Sequence, residues 1–146
     1  MSPASGSLRA LQPRHSGLAE TPLISIIDDE RAVREATASL VRSLGYAAST
    51  YACAEDYLRG EGTADTACII TDLQMPGLSG IDLKLRLSAS GCRTPVIVVT
   101  AFGSEVVRRR ALEAGACGFL TKPIEEGKLI ACLDQALSGL SPRTHI

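Results

Sequence analysis

The chain has 146 residues, enough for one ordinary domain with its own core. A formal net charge of −1 gives no global attraction to nucleic acid or to an anionic membrane. Hydrophobic residues make up 45% of the chain, yet no apolar run approaches the ~20 residues that a membrane-spanning helix requires.

Residues 1–21 are rich in Ser, Pro, Gly and Ala and lack the continuous apolar stretch of a signal peptide. They are expected to form a disordered tail, followed by one domain at 22–139 and a short C-terminal tail at 140–146. Leu23-Ile24-Ser25-Ile26-Ile27 is a β-branched run that reads as a buried strand. A helical stripe follows, Val33, Ala36, Leu40, Val41 and Leu44, with Asp29 as its expected N-cap and Gly45 as its stop. Residues 46–51 read as a short strand, Ala54 to Arg59 as a brief helix, and Gly60-Glu61-Gly62 as a loop.

Residues 67–71 are the next strand, and it runs straight into Asp72 and the turn Leu73-Gln74-Met75-Pro76-Gly77. Ser79-Gly80-Ile81-Asp82 has the form of a capping box opening a helix to about residue 89. Pro95 to Thr100 reads as a strand, Glu105 to Ala114 as a helix closed by Gly115, and Cys117 to Thr121 as a strand. The last helix is expected from Glu125 to Leu137, with Leu129, Ile130, Leu133, Ala136 and Leu137 inward.

Five cysteines, at 53, 68, 92, 117 and 132, form no C-x-x-C pair, and the only histidines, His15 and His145, fall in the tails. A zinc site is therefore not expected, and the odd count favours a reducing compartment such as the cytoplasm. Cys68, Cys117 and Cys132 read as small buried hydrophobes.

Strands alternating with helices imply an α/β fold: a doubly wound five-stranded parallel sheet with five helices. Right-handed crossovers bring all strand C-termini to one edge, where such folds bind ligands. Asp28, Asp72, Thr100 and Lys122 all fall at or just beyond strand ends, so they are expected to converge, and Asp29 adjoins Asp28. Three close carboxylates need a cation, and oxygen-only ligands favour a hard ion such as Mg²⁺. For Asp28-Asp29 alone, helix capping plus a solvated acidic turn accounts for the residues as well as a metal site does; Asp72 tips the balance. A carboxylate can accept a phosphoryl group when a metal and donors neutralise the phosphoryl oxygens, and Thr100 and Lys122 are the available donors. Pro123 is a candidate cis-proline that fixes the turn and holds Lys122 inward.

Ile27-Asp28-Asp29-Glu30, the turn from Asp72 to Gly77 with Gly80, Val99-Thr100-Ala101 and Lys122-Pro123 together resemble a response-regulator receiver domain of two-component signalling. The resemblance spans residues 23–138 and implies the flavodoxin-like receiver fold. It implies that Asp72 accepts a phosphoryl group from a histidine kinase or phosphotransfer protein. Asp29, Asp72 and the backbone carbonyl of Gln74 would ligate Mg²⁺, with Asp28 acting through a bound water. Thr100 and Lys122 would bind the phosphoryl oxygens, and Phe119 matches the family's switch aromatic, although plain core packing explains it equally well.

Gln74 stands where a shorter Asn is frequent, Phe119 lacks the hydroxyl of a common Tyr, and Ile124 replaces a frequent Phe. Phe102 is bulky beside Thr100 and is expected to restrict access to the site. Of Arg108-Arg109-Arg110, one is expected to pack by its stem and two to face water. By the resemblance, the fourth helix, fifth strand and fifth helix form the surface that reports phosphorylation to a downstream protein or a phosphorylation-dependent dimer. The first expectation is a stand-alone receiver with no substrate turnover of its own. The second is the receiver half of a DNA-binding regulator whose effector domain lies outside this chain. An aspartate-nucleophile phosphatase ranks third, because Gln74 stands where such enzymes typically carry a second Asp.

Overall fold

The β-branched run after Pro22 forms β1 (Leu23–Ile27), and similar runs form β3 (Thr66–Asp72) and β4 (Val96–Thr100). The computed structural model describes residues 21–138. The two edge strands are β2 (Ala47–Tyr51) and β5 (Gly118–Thr121). Five α-helices intervene or follow: α1 (Arg31–Ser43), α2 (Ala54–Arg59), α3 (Gly80–Ala89), α4 (Glu105–Glu113) and α5 (Glu126–Ser138). All neighbouring strands pair in parallel, in the order β2-β1-β3-β4-β5. Strand order reverses between β1 and β3, which makes their C-terminal ends the topological switch point.

Because side chains alternate along a strand, the central strands feed two cores. Ile24, Ile26, Cys68, Ile70, Ile97 and Val99 pack with Ala38 and Val41 of α1 and Leu129, Leu133 and Ala136 of α5. Ile27, Ile69, Val96 and Val98 face the other way, onto Tyr57 of α2, Leu83 and Leu87 of α3, and Ala111 of α4. Each large aliphatic side chain so buried contributes about 1.5–3 kcal/mol. The two cores fix the sheet, and the sheet fixes where its C-terminal ends lie.

Some local expectations are corrected. The residue before α1 is Glu30, which makes no side-chain cap, and Asp29 does not cap the helix. The cap-like contact belongs to Asp28, whose Oδ1 accepts from the Glu30 N–H at 2.9 Å. Ala36 is exposed, while Thr37, Ala38 and Val41 carry the buried stripe of α1. Ile130 is also on the exposed side of its helix. The stretch Glu61–Asp65 is a 3-10 helix rather than a plain loop. The Ser79–Asp82 capping box is present in full, with Asp82 N–H bonded to Ser79 Oγ at 3.0 Å and Ser79 N–H to Asp82 Oδ2 at 3.2 Å.

Cys68 is buried, and Cys117 and Cys132 are half-buried against the same core. Burial pushes all three thiols up. Among the described residues no helix is long and apolar enough to cross a membrane. The tails expected at 1–21 and 140–146 lie outside the described residues apart from Thr21, as do His15 and His145.

Candidate functional site

The parallel ladder continues one residue past its strands at three places. Asp28 N–H donates to the Tyr51 carbonyl at 3.1 Å, Leu73 N–H to Val99 at 2.7 Å, and Lys122 N–H to Thr100 at 2.9 Å. These bonds hold the residues that follow β1, end β3 and follow β5 at one edge. Asp28 and Asp72 are both buried, at 4% and 7% exposure, whereas Asp29 is exposed. One carboxylate oxygen from each of the three lies within 4.8 Å of the others.

Lys122 reaches into this group. Its Nζ is 2.9 Å from Asp28 Oδ2 and 3.5 Å from Asp72 Oδ1. Burial works to lower the lysine, but the hydrogen bond and charge of Asp28, with Asp72 behind it, outweigh that and hold it above its ordinary value. Asp72 moves up as well: burial raises it most, the Asp28 charge adds to this, and Lys122 offsets only part. One ammonium shared between two buried carboxylates satisfies Asp28 first. Asp72 is left short of positive charge, a property a phosphoryl-accepting or metal-binding carboxylate would show.

Thr100 ends β4 and is fully buried. Its Oγ1 accepts from the Phe102 N–H at 3.1 Å. The Phe102 side chain is largely in solvent, at 73% exposure. Phe119 is half-buried against the α2–α4 core. Its Cε2 lies 3.4 Å from where a Cβ on Gly103 would stand, so the ring borders the loop between β4 and α4. The Lys122–Pro123 peptide is cis. Gln74 is exposed on the loop after Asp72 and lines a groove with Met75 and Arg110. Arg108, Arg109 and Arg110 are all exposed, and the first two pair with Glu105 at 3.5 and 4.0 Å.

Sequence reasoning missed two residues that hold the site's loops. Arg34 Nη1 donates to the Asp28 carbonyl at 2.8 Å. Glu55 Oε2 accepts from the Leu78 N–H at 3.1 Å. Arg34 lies six residues after Asp28, in the first turn of α1, a spacing that offers only a weak signal. Glu55 lies 23 residues from its partner and offers none.

The family model for the response regulator receiver domain matches residues 24–134. The chain is a member of that family. Membership places this receiver in two-component signalling, where a receiver works with a histidine kinase, and receivers typically bind Mg²⁺ through an aspartate cluster of the kind formed here. The response regulator protein TmoT of Ectopseudomonas mendocina is 36% identical over 121 residues, 83% of this chain and 54% of that protein. The transcriptional regulatory protein FixJ of Azorhizobium caulinodans is 38% identical over 114 residues, 78% of this chain and 54% of that protein. Thus the receiver spans about half the length of these curated relatives. Among solved structures, the crystal structure of FixJ-N superposes with a TM-score of 0.73 at 30% identity, covering 82% of this chain and 96% of that one. The response regulator StyR gives a TM-score of 0.76 at 35% identity, covering 86% of this chain and 63% of that one.

Proposed function

We propose that this receiver is a phosphorylation-switched signalling module whose phosphoryl acceptor is Asp72. The observation that carries the reading is the shared ammonium of Lys122 between two buried carboxylates, at 2.9 and 3.5 Å, on the sheet's C-terminal edge. A carboxylate oxygen of Asp72 attacks the phosphorus of a phosphohistidine on a histidine kinase or phosphotransfer protein. The O–P bond forms, the N–P bond breaks, and the imidazole leaves with its electron pair. Lys122 then pairs with a phosphoryl oxygen, and the Thr100 hydroxyl donates its proton to another.

The three-carboxylate donor set fits a hard divalent cation. Asp29, Asp72 and the Gln74 carbonyl would hold Mg²⁺, with Asp28 acting through water. Bound there, the ion would neutralise phosphoryl charge as the donor approaches. Phe119 turns inward as Thr100 moves, and the face of α4, β5 and α5 passes the change to a protein partner or a second copy of the chain. The receiver acts in the cytoplasm and turns over no separate substrate.

Incubation with acetyl phosphate and Mg²⁺, read by intact mass, tests the acceptor. The parent chain is expected to gain one phosphoryl group and Asp72→Asn none; phosphorylation retained in the variant would overturn the assignment.

A second reading is favoured by one observation: the receiver spans only 54% of TmoT and of FixJ, and FixJ is named a transcriptional regulatory protein. In this reading the switch controls a DNA-binding domain in the same polypeptide. A reading frame that continues past residue 146 into a helix-turn-helix supports it, and a stop codon there removes it.

A further inference from the structure

We propose that Glu55 on α2 is a positioning residue that sets the site's affinity for its divalent ion, by tethering the loop between Asp72 and α3. The inference rests on the reading of that loop as the carrier of the Gln74 carbonyl ligand.

Two contacts made by one oxygen carry it. Glu55 Oε2 accepts the Leu78 backbone N–H at 3.1 Å. A Cβ built on Gly77 would meet the same oxygen, so the carboxylate is seated against the Gly77 α-carbon. Gly77 also has φ +83°, in the region that favours glycine.

The backbone hydrogen bonds described for this loop lie at its ends: Leu73 N–H to Val99 and Gly80 N–H to Leu73. The capping box of Ser79 and Asp82 fixes the entry to α3. Between these anchors Met75 is buried, while Gln74, Pro76 and Gly77 are exposed. Glu55 supplies a polar tether to this middle stretch. Its carboxyl is held below its ordinary value, first by its own backbone N–H and next by that of Leu78, so the tether is a charge-assisted bond.

Mg²⁺ demands near-octahedral geometry and tolerates little displacement of a ligand. Groups that orient ligands from outside the coordination sphere typically change metal affinity by about 10–100-fold when removed. Glu55 acts on a carbonyl four residues from its contact, so the low end applies.

The test is calorimetric titration of the chain with Mg²⁺, paired with amide exchange of Leu78 by NMR in Mg²⁺-free buffer. Glu55→Ala is expected to weaken Mg²⁺ binding about 10-fold and to speed Leu78 exchange. Glu55→Gln keeps an acceptor at the same reach and is expected to recover most of the affinity. Glu55→Asp keeps the charge but shortens the reach and is expected to behave like the alanine variant. Parental affinity in Glu55→Ala, whatever its Leu78 exchange, would overturn the inference and leave the site reading intact. Weak binding by Glu55→Gln together with full binding by Glu55→Asp would also overturn it, since charge alone would then be acting. A parent chain that binds no Mg²⁺ would instead remove the site reading, and this inference with it.

Discussion

The ammonium of Lys122 is paired with Asp28 at 2.9 Å, closer than its 3.5 Å approach to Asp72. In this arrangement the lysine acts as the cation of the acidic group. Lys122→Ala leaves three carboxylates facing one another without compensation. Breaking a fully buried ion pair costs about 3–5 kcal/mol, and partial solvent access to Lys122 brings the expected loss nearer ~2 kcal/mol. Mg²⁺ is expected to recover more stability in the variant than in the parent, because it replaces the missing charge. Urea denaturation with and without Mg²⁺ checks this; an equal Mg²⁺ effect on both proteins would show that lysine and metal act at separate places.

Asp72→Asn is expected to stabilise the fold while abolishing phosphorylation. Burial, then the Asp28 charge, hold the Asp72 carboxyl above its ordinary value of 3.8. The folded chain thus binds this proton more tightly than the unfolded chain, and stability falls as pH rises from the ordinary value through the folded one. Above that window the whole penalty is present, and asparagine does not carry it. At pH 7 without Mg²⁺ the variant should melt a few degrees higher, on the order of 1 kcal/mol, and the gap should close near or below about pH 4. Thermal melts across that pH range check both parts; a variant that melts lower at pH 7 would mean that the loss of its contact with Lys122 dominates.

What the sequence revealed of this site was the part set by strand ends. Asp28, Asp72, Thr100 and Lys122 each follow or close a strand-length run, so parallel topology alone brings them to one edge. The capping box at Ser79 was legible because its partners are three residues apart. The Thr100 hydroxyl bond to Phe102, the Arg34 bond to the Asp28 carbonyl and the Glu55 tether were not. Each depends on where a loop or helix turn settles after packing. Asp29 misled for a related reason: an acidic pair before a helix suggests a cap, but Asp28 turns its side chain to the helix start while Asp29 stays in solvent.

That division predicts a separation of effects at Asp29. Its side chain is exposed, so Asp29→Ala should change folding stability by no more than about 0.5 kcal/mol. The same change removes a carboxylate from the proposed metal group and should weaken Mg²⁺ binding at least ~10-fold. Calorimetric titration alongside urea denaturation resolves the two. An unchanged Mg²⁺ isotherm would reduce Asp29 to a solvated acid beside the site.

Two glycines that undergo the same substitution should respond with opposite sign. A Cβ on Gly80 would stand 2.7 Å from the Asp72 carbonyl oxygen and 3.3 Å from the Leu73 Cα, both backbone atoms that cannot rotate away. Gly80 N–H also donates to the Leu73 carbonyl at 3.0 Å, so the close approach is built into the start of α3. Gly80→Ala must push the strand end that carries Asp72, at a cost of about 1–3 kcal/mol, and should slow phosphorylation by acetyl phosphate. A Cβ on Gly127, in α5, would meet nothing within 4 Å, and alanine there gains helix propensity without collision. Gly127→Ala should therefore stabilise the chain by about 0.5–1 kcal/mol and leave phosphorylation unchanged. Denaturation and phosphorylation time courses on both variants check the contrast; a Gly80→Ala protein as stable and as reactive as the parent would show that α3 can shift away from the Asp72 backbone without moving the acceptor.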